Sequence, residues 1–164
     1  MAEKRFVRPI VEFFQFQVAD APRSDNAVLF SEMWDDRTHR YLEGVKQELQ
    51  RARGIYIYYD SRGRAIYAGK AEEQSLWKEM NLALNRGRGD VQSIKRVSHP
   101  TNSVPYRGPE EKRRRILRQQ VKLWHIASYF SAYEIAPKSI IGMFEALLVR
   151  GFANDLLNKR MESL

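Results

Sequence analysis

A few residues in this chain are of the type and spacing that could do chemistry. Tyr56 and Tyr67 stand on either side of a short turn in GIYIYYDSRGRAIYAGK, and Lys70 follows just beyond. Two phenols beside an ammonium group could form the floor of an active site; cross-strand aromatic packing on an exposed hairpin is the other reading. Glu145 sits inside an apolar run from Ile140 to Val149. An ionised carboxylate there is costly unless a cation, a metal ion or a hydrogen-bond donor meets it. Magnesium is typically held by one or two carboxylates, with waters and a substrate phosphate. Glu145 therefore reads as a metal ligand, and a glutamate reaching an arginine at the rim of the core is the alternative.

These side chains need elements to hold them. Asp60 and Gly63 bracket DSRG as a β-turn, with Asp and Gly at the positions that favour them. A two-residue loop would set Tyr56 directly opposite Tyr67, both rings on one face. VEFFQFQV (11–18) predicts an earlier strand and ASYFSAYEI (127–135) a later one, by aromatic content and alternation. A helix from Ser31, as N-cap, to Arg51 precedes the hairpin, and one from about Glu72 to Asn85 follows it. In the second helix Leu76, Met80, Ala83 and Leu84 gather on one side and Gln74, Lys78, Asn81 and Asn85 on the other. Residues 90 to 109 read as loop, 110 to 124 as a basic helix, and a closing helix starts near Ser139. On that helix Glu145 shares a face with Ile141, Leu148 and Phe152.

The chain has 164 residues, 43% of them hydrophobic, which is enough for one folded domain with a real core. No apolar run is long enough to cross a membrane. The first residues hold no signal-like apolar stretch, so a cytoplasmic location is expected. The absence of cysteine excludes disulfides and thiolate zinc sites, and the three scattered histidines argue against a histidine metal centre. The net charge of +8 points to a polyanionic partner. Between Arg86 and Lys122 eleven basic residues face only three acidic ones, while the rest of the chain balances at 17 of each sign. Arg88, Lys95, Arg96, Lys112, Arg113, Arg114, Arg115 and Arg118 in that segment are therefore expected to contact nucleic-acid phosphates. A solvated charged helix would also account for the run from Glu110 to Lys122.

The intact GIY at 54–56, the YAG at 67–69, the lysine after it, the following helix and Glu145 in FEALLVRGFANDLLN together resemble the GIY-YIG nuclease family, over roughly the last two-thirds of the chain. The resemblance implies an α/β fold of the α+β type, with a small three-stranded antiparallel sheet flanked by helices. Residues 1–53 would be an N-terminal strand-and-helix extension packed on a 54–164 core, with a basic insertion at about 86–122. It also implies metal-dependent hydrolysis of phosphodiester bonds in DNA, in the manner of the restriction-type members.

Under that resemblance Tyr56 is the general base or orients the attacking water, and Tyr67 binds water or phosphate beside it. Glu145 holds one Mg2+ or Mn2+, and Asn158 supports the site. Lys70 would lower the pKa of Tyr56, since a tyrosine near 10 is a poor base at neutral pH. Where the family carries an arginine on the helix after the hairpin, this chain has Trp77-Lys78. Either Lys78 or Arg86, which points about 80° away from it, would take that place. Lysine lacks the bidentate fork of arginine, so a catalytically silent nucleic-acid-binding protein on the same fold is the alternative. Cutting both strands with one site per chain would favour a homodimer.

Overall fold

The structure is a computed structural model that describes residues 6–15, 40–87, 93–98, 105, 108 and 115–152. Its centre is an antiparallel sheet in the order β1-β6-β2-β3, formed by β1 (Val7–Gln15), β2 (Gly54–Tyr59), β3 (Ala65–Ala71) and β6 (Tyr129–Ile135). The helices are α1 (Arg40–Arg51), α2 (Leu76–Asn85) and α3 (Ile141–Gly151). A separate two-stranded ribbon consists of β4 (Ser93–Ser98) and β5 (Arg115–Gln120). Among the described residues no helix is long and apolar enough to cross a membrane.

Alternation decides which side chains meet which helix. Tyr56, Tyr58 and Tyr67, with Phe130 and Ala132 of β6, point to the face where Val45 and Leu49 of α1 and Leu76, Met80, Ala83 and Leu84 of α2 complete the main core. Ile55, Ile57 and Ala68 point the other way, against Ile141 and Val149 of α3. β2 is buried along its whole length because both of its faces are covered. Ser75 ends the loop before α2, its Oγ accepting from the Lys78 N–H at 3.4 Å. α2 thus starts at Leu76, four residues later than expected, because a serine cap satisfies the first-turn donors.

The sheet has four strands where three were expected. The added one is β1, which pairs with β6 through Val7–Ile135, Pro9–Tyr133 and Phe14–Phe130 and is irregular at two places. Phe13 sits in the second of them, between Val11 and Phe14, with φ 45°, and donates its N–H to Ser131 Oγ at 3.0 Å. Arg8 bridges Glu134 at 2.6 Å and Glu48 of α1 at 2.7 Å, tying strand, sheet and helix together. The N-terminal segment therefore adds an edge strand to the same sheet. Of the helix expected from Ser31, the part from Arg40 is seen; Ser31 lies outside the described residues.

The hairpin register differs from the expected one. Asp60 and Arg64 close a three-residue loop, with Asp60 N–H to Arg64 O at 2.9 Å and Gly63 N–H to Asp60 O at 3.0 Å. Gly63 takes φ 76°, the left-handed residue that such a loop needs. A further shift falls between Tyr58 and Tyr59, where Ile66 is the extra residue. Tyr56 consequently faces Gly69, and Tyr58 faces Tyr67. The total slip is two residues, an even number, so Tyr56 and Tyr67 still share a face.

The basic segment is also different. Ser93–Ser98 is a strand where a loop was expected, and Arg115–Gln120 is its partner where a helix was expected. A short 3-10 turn, Leu123–His125, follows. Helix propensity is a weak prior that pairing with a complementary strand overrides.

Candidate functional site

β2 and β3 bring Tyr56 and Tyr67 together, with ring centroids 6.0 Å apart. Tyr58 completes a cluster, at 5.7 Å from Tyr56 and 6.4 Å from Tyr67. Tyr58 donates its hydroxyl to the Met80 carbonyl at 2.9 Å. The Tyr56 ring crosses β3 above Gly69: a Cβ on Gly69 would stand 2.5 Å from the ring Cζ and 2.5 Å from its Oη. The glycine of YAG thus leaves room for the tyrosine of GIY. Gly54 is required for a different reason, since a Cβ there would meet the Tyr133 carbonyl oxygen at 2.0 Å, at φ 157°.

Tyr56 is only 2% exposed. Burial pushes its pKa well above that of a free tyrosine, and Tyr67, Tyr58 and Glu79 push it the same way. Burial does the same to Tyr58. The expected lowering by Lys70 is therefore corrected: Lys70 lies three residues from Tyr67 along one strand, hence on the opposite face. A neutral phenol in this setting donates a hydrogen bond and does not serve as a base near pH 7.

Lys70 belongs to the α3 side. Its Nζ is 3.5 Å from Glu145 Oε2 and 3.5 Å from Glu72 Oε2. The Glu145 side chain is 16% exposed, at the rim of the core with a lysine as counter-ion. Gly142 of α3 lies close by, a Cβ there being 3.4 Å from Lys70 Nζ. Glu72 and Glu79 are the residues that sequence reading missed. Glu72 could have been found, because it follows Lys70 by two residues and so leaves the strand on the same side. For Glu79 the signal was its spacing, three residues after Leu76 and four before Ala83, which sets it beside the apolar stripe of α2.

The remaining candidates are spread along α2 and beyond. Lys78 is exposed in the first turn, and Arg86 is exposed just past the last one. Between them the polar stripe turns inward on its own helix, Asn81 donating to the Trp77 carbonyl at 2.8 Å and Asn85 to the Asn81 carbonyl at 2.9 Å. Lys95 and Arg118 are exposed on the ribbon, directly opposite each other. Arg96 and Arg115 hold ribbon positions opposite Leu117 and Ser98. Asn158, Arg88, Lys112, Arg113 and Arg114 lie outside the described residues.

Two groups therefore form on opposite faces of the edge strand β3: the tyrosines over Gly69, and the Lys70 ion pairs next to it. Glu72 and Glu145 each bring an oxygen close to one point, which already holds a positive charge. Among the described residues, no three histidine, cysteine, aspartate or glutamate side chains are grouped so as to hold an ion. Compared with family models, with curated proteins and with solved structures, the chain matches none.

Proposed function

We propose that the chain is a GIY-YIG-type endonuclease that hydrolyses phosphodiester bonds in DNA, with the reacting phosphate at the β3 edge. The observation that carries this reading is that consecutive residues of the edge strand β3 carry the two groups, the Tyr56 hydroxyl over Gly69 on one face and the Lys70–Glu145 pair on the other. A phosphate at that edge would meet donors from one face and charge from the other.

In this reading Tyr56 and Tyr67 act as neutral hydrogen-bond donors to non-bridging phosphate oxygens, fixing the phosphate and stabilising the charge that grows on it. This replaces the base role that the resemblance implies for Tyr56. Lys70 bridges the two carboxylates before substrate arrives and contributes positive charge once it does. Lys78 and Arg86, at the two ends of α2, would grip flanking phosphates. Glu145, with Glu72 across Lys70, would hold the divalent ion. When bound, such an ion neutralises phosphate charge and acidifies a water.

Nicking of supercoiled plasmid in magnesium or manganese, against EDTA, tests the proposal. Wild type should nick, and Glu145→Ala should lower the rate by at least about 100-fold, the usual scale for a group that stabilises charge at the reacting centre. A second reading, a catalytically silent nucleic-acid-binding protein, is favoured by the burial of Tyr56, which leaves little access to its hydroxyl. Intact DNA binding with no nicking in either metal would decide for it. Cleavage of both strands by a species that light scattering finds monomeric would count against a homodimer.

A further inference from the structure

The β4–β5 ribbon is not used by the reacting site. Among the described residues it pairs with no third strand, and both of its faces present side chains to solvent. Two features cost free energy as they stand. Lys95 and Arg118 are directly opposite each other, and like charges in that relation are destabilising. Ile116 is 74% exposed and Leu117 41%, on opposite faces of one short strand. An isolated ribbon of two strands is marginal in water. These features fit a ribbon that is completed by a polyanion with apolar contact points.

The dimensions and residue types say which polyanion. The B-DNA major groove, about 12 Å wide, admits a two-stranded ribbon, whose strands lie about 4.8 Å apart. Six residues extend for about 20 Å at roughly 3.3 Å each, against roughly 3.4 Å per base pair. Ser93 and Lys95 share one face with Ile116, Arg118 and Gln120 by register. Arg118 donates its Nε–H to Ser93 Oγ at 2.9 Å, which holds the guanidinium along that face. Arg and Lys read guanine edges, Gln reads adenine, and an apolar side chain meets the thymine methyl. Neither strand, SIKRVS or RILRQQ, contains an aromatic residue on which an unpaired base could stack.

We infer that the β4–β5 ribbon lies in the major groove of double-stranded DNA with its Lys95–Arg118–Ile116 face toward the base edges. The inference rests on the nucleic-acid reading above and adds the duplex, the groove and the side chains.

The test is fluorescence anisotropy of the full chain in EDTA, which separates binding from cleavage. The probes are a labelled DNA duplex of mixed sequence, either of its single strands, and an RNA duplex, whose major groove is too deep and narrow for side chains to read. The DNA duplex should bind at least tenfold tighter than the other two. Methyl green, a major-groove ligand, should displace the protein, and netropsin, a minor-groove ligand, should not. Arg118→Gln should weaken duplex binding about tenfold, and Lys95→Gln should weaken it and relax its sequence preference. Arg62→Gln, in the exposed β2–β3 turn, should leave both unchanged, and circular dichroism should show all variants folded. Equal binding to the RNA duplex, displacement by netropsin, or unchanged binding by both ribbon variants would overturn the ribbon inference alone. No binding to any of the nucleic acids would overturn the functional reading with it.

Discussion

The two faces of the β2–β3 hairpin are made by the same alternation and end in opposite states. Toward α1 and α2 the hairpin presents three tyrosines, packed ring against ring, with the Tyr58 hydroxyl spent on the Met80 carbonyl. Toward α3 it presents an ammonium between two carboxylates, with the lysine side chain 34% exposed. Burial fixes the protons of the first face, because ionising a phenol without water is expensive. Partial exposure leaves the charges of the second face exchangeable, because water can replace either partner. A site needing both a fixed donor and a replaceable counter-ion can be assembled from one hairpin, provided a single edge strand carries both.

Alkali should break the contrast most completely. Tyrosines of the unfolded chain ionise near pH 10, whereas Tyr56 and Tyr58 keep their protons to well above that and Tyr133 is raised to about 12, by burial first and then by its hydrogen bond to Glu12. Raised folded values mean that this contribution to stability is whole below about pH 10 and is lost as pH climbs through them. The melting temperature should fall steadily from pH 10 toward 12, and phenolate absorbance of the buried tyrosines should rise together with unfolding. Ionisation of all the tyrosines in a still-folded protein would show that the first face is not sealed.

Gly54→Ala comes next. Its Cβ would collide with main chain of β6, which cannot swing aside, and so would spread β2 from β6 and disturb both faces. A loss of about 3 kcal/mol in urea unfolding is expected, the upper part of the overpacking range. Gly69→Ala should cost less, about 2 kcal/mol, since it displaces one ring; its damage should be confined to the tyrosine face and leave the Lys70 pairs in place. Equal costs would mean that the ring is held as rigidly as backbone.

Lys70→Met should have the smallest effect on folding, within about 1 kcal/mol, because partly exposed ion pairs add little. On the proposed nuclease reading, its effect on nicking should be far larger. A variant that unfolds readily yet nicks normally when folded would reverse the roles of the two faces.

Some of this arrangement was legible in the residues. The alternating aromatic runs located β2, β3 and β6, and the i, i+4 spacing of apolar residues located α2 and α3. Parity alone already puts Lys70 on the far side of the strand from Tyr67; reading the lysine as a neighbour of Tyr56 overlooked it. The register was not legible, because DSRG suits a two-residue loop and a three-residue one equally, and the extra residue at Ile66 has no signature. The sharing of a face by Tyr56 and Tyr67 was still readable because the slip is even. The ribbon was hidden by its own composition: basic and glutamine-rich residues favour a helix locally, and the pairing that overrides this lies 17 to 27 residues away, from Ser98–Arg115 to Ser93–Gln120. The early strand expected at 11–18 was legible and stands at Val7–Gln15, but its partner was not, since nothing in it names β6 as its neighbour.

That fourth strand has a consequence for the protein at high concentration. An open sheet edge is a template on which another chain can add a strand. β1 is such an edge, and it is blunted along its length: Pro9 offers no N–H, Phe13 turns the backbone aside at φ 45°, and Arg8 sets a charge near the start. A second molecule would find no straight run of donors and acceptors to pair with. The same irregularities that bend β1 against β6 thus close this side of the sheet to a further strand, however many copies surround it.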